Sequence, residues 1–215
     1  MVTIYRDWVL PHLVDRMCGT ADLGSWRAEV ATGLTGDLLE IGFGSGLNIE
    51  FYPSGIARVL AVEPSTTALR LARKRMAASP VPIQQVGIDG QSIHLPDSSC
   101  DSALCTFALC TIPDPDVALA EVGRIVRPGG RFHFIEHGLS PDPGVARWQG
   151  RLEPLQRRLA GGCHLTRDPI SMVERAGFVV DEVFQQYGDG PKPWTYFTRA
   201  VAINAAPPGH TDSPV

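Results

Sequence analysis

Apolar positions along the chain follow two alternating patterns, which predict strands and helices in turn. Short apolar runs rich in β-branched residues indicate buried strands, and longer segments with helical spacing separate them. The predicted strands are 37–41, 58–63, 83–87, 102–107 and 131–136. The helix-like segments between them are 47–52, 65–78 and 115–127, and the third connection, around 91–95, is short. Continuous apolar strands joined by helices favour a parallel sheet covered on both faces.

The two ends of the chain have different patterns. Apolar residues from Ile4 to Val14 recur at helical spacing and predict a helix that Gly19 ends, followed by a weaker helix at 25–31. Beyond the fifth strand, the patterns predict two helices and then two strands that form an antiparallel edge hairpin, at 145–160, 169–176, 178–186 and 194–203. The last residues contain three prolines and few apolar groups, which predicts disorder. We therefore divide the chain into a helical lid, a main domain and a tail, at 1–34, 35–204 and 205–215.

Composition narrows the class of protein. A chain of 215 residues that is 44% hydrophobic and 20% charged suits one compact domain. The net charge of −4 and the lack of a basic run argue against a nucleic-acid partner. Five cysteines without CxxC spacing indicate neither a disulfide framework nor a zinc knuckle. No apolar stretch approaches the ~18 residues of a membrane span, so we expect no integral membrane segment. The cysteine pattern favours a cytoplasmic protein, and the sequence leaves its oligomeric state undetermined.

The most specific motif is a glycine-rich turn after the first predicted strand, with Glu40 ahead of Gly42, Gly44 and Gly46. Open α/β sheets bind ligands at such strand ends, and glycines let the backbone approach the ligand closely. A dinucleotide G-x-G-x-x-G would place its third glycine where Leu47 stands. The pattern E-x-G-x-G-x-G instead resembles the motif of S-adenosylmethionine enzymes. That ligand carries an ammonium and a sulfonium and has no pyrophosphate, so a carboxylate beside the turn suits it.

Two more acidic residues follow predicted strands. Glu63 lies 23 positions after Glu40, close to the spacing of a ribose-binding acid, so we predict that it accepts hydrogen bonds from both ribose hydroxyls. Asp89 is predicted to accept from the adenine amino group, and a simple turn or cap is its alternative. The N-terminal helix is expected to fold over the cofactor. The predicted cofactor-binding residues are Tyr5, Glu40, Gly42, Phe43, Gly44, Gly46, Asn48, Glu63, Pro64, Ser65, Asp89, Gly90 and Phe107.

Further blocks carry a family resemblance over about residues 35–203. LPD at 95–97, CDSA at 100–103 and LAEVGRIVRPGG at 119–130 resemble successive blocks of class I methyltransferases. NIEFYPSG at 48–55, LCTFALCTI at 104–112, FIEH at 134–137 and GCHLTRD at 162–168 are similar to those of the methyltransferase-like thiol methyltransferases and their bacterial relatives.

The resemblance implies a Rossmann-like α/β fold with a seven-stranded, mostly parallel sheet of order 3-2-1-4-5-7-6, strand 7 being antiparallel. It also implies S-adenosylmethionine as cofactor, S-adenosylhomocysteine as product and alkyl thiol S-methylation as activity. The animal members carry an apolar N-terminal membrane anchor, which this sequence does not show.

The small-molecule acceptor is expected near the ends of the fourth and fifth strands. A thiol attacks as its thiolate, and the pKa of a free thiol is about 8.5. We predict that His137 or His164 receives the acceptor proton. Arg167 is predicted to orient its segment or a substrate anion, and Trp148 and Trp194 to line the acceptor pocket. The alternative for both histidines is local hydrogen bonding that shapes the loop.

Other functions remain open from the sequence alone. An O- or C-methyltransferase acting on a phenol or quinone shares the 119–130 block, and a lipid N-methyltransferase is a third candidate. Outside this class stand a nicotinamide oxidoreductase and a non-catalytic cofactor-sensing protein. Cys105 and Cys110 are expected to be core residues, and a three-cysteine arsenic methyltransferase would need cysteines to converge on the acceptor pocket. The histidines show no metal-ligand spacing, so no metal site is predicted.

Overall fold

The computed structural model describes residues 4–205, and these form one seven-stranded sheet of order β3-β2-β1-β4-β5-β7-β6. The strand β7 runs antiparallel to both β5 and β6, and the other neighbours are parallel. The predicted strand order and the antiparallel strand 7 are therefore confirmed. The strands are β1 (Gly36–Ile41), β2 (Ile56–Val62), β3 (Ile83–Gly87), β4 (Cys100–Thr106), β5 (Val126–His137), β6 (Phe178–Tyr187) and β7 (Tyr196–Asn204).

The helices begin at positions that the sequence marks chemically. Asp114, Asp142 and Asp168 each precede a proline, and each carboxylate accepts hydrogen bonds from backbone N–H groups of the first helical turn. This combination of an aspartate cap and a proline in the first turn favours helix initiation. The helices are α1 (Leu10–Cys18), which follows a π-helical turn (Tyr5–Val9), α2 (Ala21–Ala31), α3 (Thr66–Ala78), α4 (Pro115–Ile125), α5 (Pro143–Leu159), α6 (Pro169–Arg175) and α7 (Lys192–Thr195).

Successive residues of the central strands enter two separate cores, as the alternation of side chains along a strand requires. Leu38 packs with Val30 of α2 on one face of the sheet. Leu39 packs with Leu119 of α4 and Val173 of α6 on the other face. Because both faces are covered, the strands are apolar throughout, which is why they could be recognised in the sequence.

The segment after the glycine-rich turn differs from its prediction. The helix predicted at 47–52 is only a short 3₁₀ turn, Ile49–Phe51. Tyr52 has an extended ψ of 123°. Pro53 disfavours the helical conformation in the residue before it, so the helix cannot continue. The first helix after β1 is therefore too short to present a full helical N-terminus to a ligand.

The N-terminal helices lie beside the glycine-rich turn. Arg75 of α3 donates to the carboxylate of Asp15 in α1 and to the Ser45 carbonyl, each at 2.9 Å. This bridge connects α1 with the turn, which agrees with the lid hypothesis without testing it. Residues 1–3 and 206–215, which include most of the predicted tail, lie outside the described residues. Within 4–205, no helix is both long enough and apolar enough to cross a membrane.

Candidate cofactor and acceptor site

The glycine-rich turn combines two tightly packed positions with one open position. A Cβ on Gly42 would lie 2.2 Å from the Cβ of Ala108, and one on Gly46 would lie 2.7 Å from Ile49 Cδ1. Gly44 has a φ of +58°, but an added Cβ would meet only the Gly42 carbonyl, at 3.7 Å. The absence of a side chain at Gly42 therefore lets the turn pack closely against the residues that follow β4. Gly44 leaves its backbone facing space that a ligand can enter.

Glu63, at the end of β2, holds the same turn from the other side. One carboxylate oxygen accepts from Gly44 N and the other from Ser65 N, both at 2.7 Å. Burial raises the pKa of the Glu63 carboxyl, and these two backbone donors oppose that rise. Each oxygen keeps a further lone pair, so the observed bonds leave room for the predicted ribose hydroxyls.

Glu40 lies fully buried under the turn. Asn48 Nδ2 donates to one of its oxygens at 2.8 Å, and the Tyr52 hydroxyl donates to the other. Burial raises the pKa of the Glu40 carboxyl to about 7, against hydrogen bonds from Tyr52 and Asn48 that lower it. Both oxygens are engaged by residues that follow the turn, so Glu40 holds that segment against β1, and its role toward a cofactor stays a prediction.

Arg27 of α2 completes this buried network, although no sequence pattern predicts that it does. Its Nη1 donates to Asn48 Oδ1 at 2.6 Å and to Thr106 Oγ1 at 2.8 Å. The guanidinium also lies 5.6 Å from the centre of the Phe107 ring. A buried cation in a helix with a weak apolar pattern gives no local signal. Only the fold shows that Arg27 connects α2, the glycine-rich turn and β4.

The other predicted cofactor residues occupy varied positions. Phe43 is buried against α3, and Phe107, with a φ of +56°, follows β4. Asp89 is exposed and accepts from Gln91 N at 2.9 Å, the geometry of its alternative turn role. Tyr5 donates to the Leu159 carbonyl at 2.9 Å, which ties the N-terminus to α5. Pro64 is exposed beside half-buried Ser65, which caps α3, and Gly90 adjoins Asp89. Their contacts with a cofactor stay predictions.

Two side chains, Glu136 and Arg167, hold the turn after β4 in place. Glu136 Oε1 accepts from Ala108 N and from Leu109 N, both at 2.7 Å. Arg167 donates to the carbonyls of Leu109 and Ile112, the latter at 2.8 Å. Of the two roles predicted for Arg167, orientation of a segment is the one that these bonds favour.

A cluster of sulfur and imidazole groups lies at this turn. Cys110 of the turn, His137 at the end of β5 and Cys163 of the α5–α6 loop have ligand-type atoms within 4.8 Å of one another. His137 Nε2 lies 2.9 Å from Cys163 Sγ, and Gln156 Nε2 donates to the same sulfur at 3.5 Å. His137 Nδ1 is buried and has no hydrogen-bond partner among the described residues. We call these three residues the Cys-His-Cys cluster.

The electrostatics of the cluster favour a thiolate at Cys163. The neighbouring Cys110 thiol and a hydrogen bond from His137 hold the pKa of Cys163 far below its usual value, although burial opposes them. Burial lowers the pKa of His137, but its contact with Cys163 outweighs this and leaves the pKa raised. Two thiols and an imidazole are also the donor set of soft metals. Because the residues come from three separate segments, the local spacing that predicted no metal site could not reveal this grouping.

The remaining acceptor candidates are held locally. His164 Nδ1 lies 2.7 Å from Glu153 Oε1, and the second Glu153 oxygen accepts from Leu165 N at 2.9 Å, so this pair shapes the loop. Trp194 Nε1 donates to Gln156 Oε1 at 3.1 Å, which connects it to the Cys-His-Cys cluster. Trp148 is exposed and lines an open groove of about 550 Å³. Their contacts with an acceptor stay predictions.

The sheet order, the glycine-rich turn and the acid that follows it together define a class I methyltransferase, and a family profile described as a methyltransferase domain matches residues 39–134. The chain belongs to the S-adenosylmethionine-dependent methyltransferases. Thiol S-methyltransferase TMT1B of Rattus norvegicus is 36% identical over 161 residues, which cover 73% of this chain and 65% of that relative.

More distant relatives are named for other activities. Demethylmenaquinone methyltransferase of Thermobifida fusca is 27% identical over 197 residues, covering 88% of this chain and 73% of the relative. The crystal structure of an S-adenosylmethionine-dependent methyltransferase from Thermotoga maritima matches with a TM-score of 0.66 at 21% identity, covering 95% of this chain and all of that one. The structural match supports the fold alone.

Proposed function

We propose that this protein transfers a methyl group from S-adenosylmethionine to a small thiol, and that His137 receives the thiol proton. The observation that carries this proposal is the buried Nδ1 of His137, which has no partner in the described part of the chain, while Nε2 of the same ring faces Cys163. A ring with one nitrogen held and the other free can accept a proton in a defined direction. The similarity to a thiol S-methyltransferase supports the choice of acceptor.

The glycine-rich turn fits the cofactor for a structural reason. The open face of Gly44 leaves room for close approach, and the Glu63 carboxylate beside it suits hydroxyl donors and positive charge. When bound, S-adenosylmethionine supplies a methyl group on a good leaving group. Glu63, Gly44 and the predicted adenine acceptor Asp89 would hold it.

The chain's own contribution is alignment and handling of the acceptor proton. Gly42 packs against Ala108, and Cys110 of the Cys-His-Cys cluster lies in the same segment after β4, so this segment connects the glycine-rich turn with the cluster. Holding two reactants in line is worth about 7–11 kcal/mol in favourable cases. Neutral His137 takes the thiol proton on Nδ1, and the negative Cys163 stabilises the imidazolium that forms.

The raised pKa of His137 helps this transfer. The free thiol has a pKa of about 8.5 and free histidine about 6.5. Each unit of difference costs about 1.4 kcal/mol in proton transfer. Cys163 raises the pKa of His137, so the pKa of the base lies nearer to that of the thiol acceptor and proton transfer costs less free energy.

Acceptor specificity and the base role need separate measurements. We would incubate the protein with S-adenosylmethionine and small alkyl thiols, hydrogen sulfide, catechols, quinols or phosphatidylethanolamine, and quantify S-adenosylhomocysteine. The proposal is supported if the protein methylates thiols and His137→Gln lowers that turnover. His94→Gln, at an exposed histidine, should leave the turnover unchanged. Turnover with quinols alone would contradict it and favour the activity named for the Thermobifida fusca relative.

A further inference from the structure

We propose that Cys110 and Cys163 form a redox-active dithiol that reacts with small-molecule disulfides, and that closing their disulfide disconnects His137 from its thiolate partner. The dithiol chemistry stands on the cluster geometry alone. Its effect on methyl transfer rests on the proposed function of His137 as the base for a thiol acceptor.

The backbone already places the two cysteines side by side. Their sulfur atoms lie within 4.8 Å, and His164 N donates to the Cys110 carbonyl at 2.9 Å. A disulfide needs the two sulfur atoms about 2.05 Å apart, so closing the bond brings together atoms that already lie within 4.8 Å of one another. Arg167 and Glu136 hold the Cys110 turn in place while this happens.

The two sulfurs are chemically unequal, as a reactive dithiol requires. Two nitrogen atoms converge on Cys163 Sγ, His137 Nε2 and Gln156 Nε2, whereas the Cys110 thiol donates to the Phe107 carbonyl at 3.8 Å. The neighbouring Cys163 and burial raise the pKa of Cys110. A thiolate is the attacking form in thiol–disulfide exchange, so Cys163 attacks and Cys110 resolves. Cys105 lies beside the Glu136 carboxylate, and burial there raises its pKa well above the usual value, so it offers no second thiolate.

The reaction balances without a further reagent. The Cys163 thiolate attacks one sulfur of a disulfide R–S–S–R, forms a mixed disulfide and releases one thiolate. Cys110 then loses its proton, attacks Cys163 Sγ and expels the second thiolate, which takes up that proton. Two electrons pass from the protein dithiol to the small disulfide, which leaves as two thiols, one released as its anion. Oxidation converts a small thiol into a small disulfide. A pocket that binds the thiol acceptor would therefore also admit a disulfide of this class.

Closing the bond removes what activates His137. A disulfide sulfur carries no charge and is a weak acceptor, so the ring loses the partner that orients it and raises its pKa. His137 would then be a weaker and less well oriented proton acceptor whenever the small thiols that it serves become oxidised. A dithiol reductant would restore the thiolate and the activity together.

The test uses 2-hydroxyethyl disulfide and the intact mass of the whole chain. We expect wild type to lose two hydrogen masses and two alkylatable thiols, Cys110→Ser to stop at a mixed disulfide, and Cys163→Ser not to react. Cys100→Ser, at a buried cysteine near the start of β4, should close its disulfide as wild type does. Unchanged wild-type mass, or closure that persists in Cys163→Ser, would overturn the proposal.

Two further measurements keep this test decisive. If a cysteine variant fails to fold, phenylarsine oxide, which bridges neighbouring thiols, can be added to wild type instead. It should bind once and protect two thiols from alkylation. Protection of no thiol would contradict the dithiol. Methyl transfer to thiols should fall at least about 10-fold on oxidation and return with dithiothreitol. Closure without loss of activity refutes the switch, whereas closure in a protein that methylates no thiol refutes only the proposed function.

Discussion

His137 Nε2 lies 2.9 Å from Cys163 Sγ, although 26 positions separate the two residues in the chain. The histidine lies at the end of β5, and the cysteine lies in the loop between α5 and α6. Nδ1 of the same ring is buried and has no hydrogen-bond partner within residues 4–205. An unpaired buried nitrogen costs free energy that a bound acceptor can recover by hydrogen bonding to it. The pair therefore links loop geometry to acceptor binding.

Substituting His137 tests the base directly. The base is neutral above its raised pKa, so wild-type kcat/KM for a thiol should fall as pH decreases through that pKa. In His137→Gln, kcat/KM should drop about 10²–10⁴-fold at neutral pH, the usual contribution of general base catalysis. The residual rate should then rise through the thiol's own pKa of about 8.5.

The measurement is a pH–rate profile from about pH 6 to pH 9. His94→Gln provides the matched control, since His94 is exposed and removed from the cluster. Equal rates and equal profiles for His137→Gln and wild type would show that the acceptor loses its proton elsewhere.

Glu63→Gln tests the cofactor side. The amide keeps the size of the side chain but removes the charge and presents only one acceptor where two backbone N–H groups now bind. Hydrogen bonds to charged groups contribute about 1.5–3 kcal/mol, so S-adenosylmethionine should bind about 10- to 100-fold more weakly. Calorimetry would measure this, with Glu50→Gln at an exposed carboxylate as control. Wild-type affinity in Glu63→Gln would exclude Glu63 as a cofactor ligand.

The sequence allowed the sheet and the turn to be predicted because both have local signals. Apolar strands covered on both faces and a glycine-rich turn at a strand end are visible in short windows. Arg27 and the Cys-His-Cys cluster have no such signal, because each depends on segments brought together by the fold. Cys110 was predicted to be a core residue and is indeed buried, but burial did not reveal its neighbour Cys163.

The helix predicted after the turn failed for a local reason. The apolar spacing of 47–52 suggested a helix, but Pro53 restricts Tyr52 to an extended backbone. The proline was visible in the sequence and should have outweighed the pattern. The shortened segment instead turns Asn48 and Tyr52 inward, where they hold Glu40.

Glu40 should make stability depend on pH. Its pKa rises from 4.5 to about 7 on folding, so the folded state favours the protonated form. The associated stability is fully present below the unfolded value and is lost as pH rises through the folded value, an effect of order 3 kcal/mol. Glu40→Gln mimics the protonated form, so its melting temperature relative to wild type should increase between pH 5 and pH 8, about that window. A difference that stays constant across this range would contradict the assignment.

Gly42→Ala and Gly44→Ala separate folding from cofactor binding. Both glycines have positive φ, which costs an alanine about 1–2 kcal/mol. At Gly42 the new Cβ would also lie 2.2 Å from Ala108 Cβ, and such overpacking adds about 1–3 kcal/mol. Gly42→Ala should therefore lower the free energy of unfolding clearly more than Gly44→Ala, as urea denaturation would measure.

At Gly44 the methyl group would enter open space, so this variant should stay folded. Its affinity for S-adenosylmethionine should fall at least about 10-fold, because the methyl occupies the path of close approach. If Gly44→Ala binds the cofactor as wild type does, the open face of this turn is not where the ligand lies.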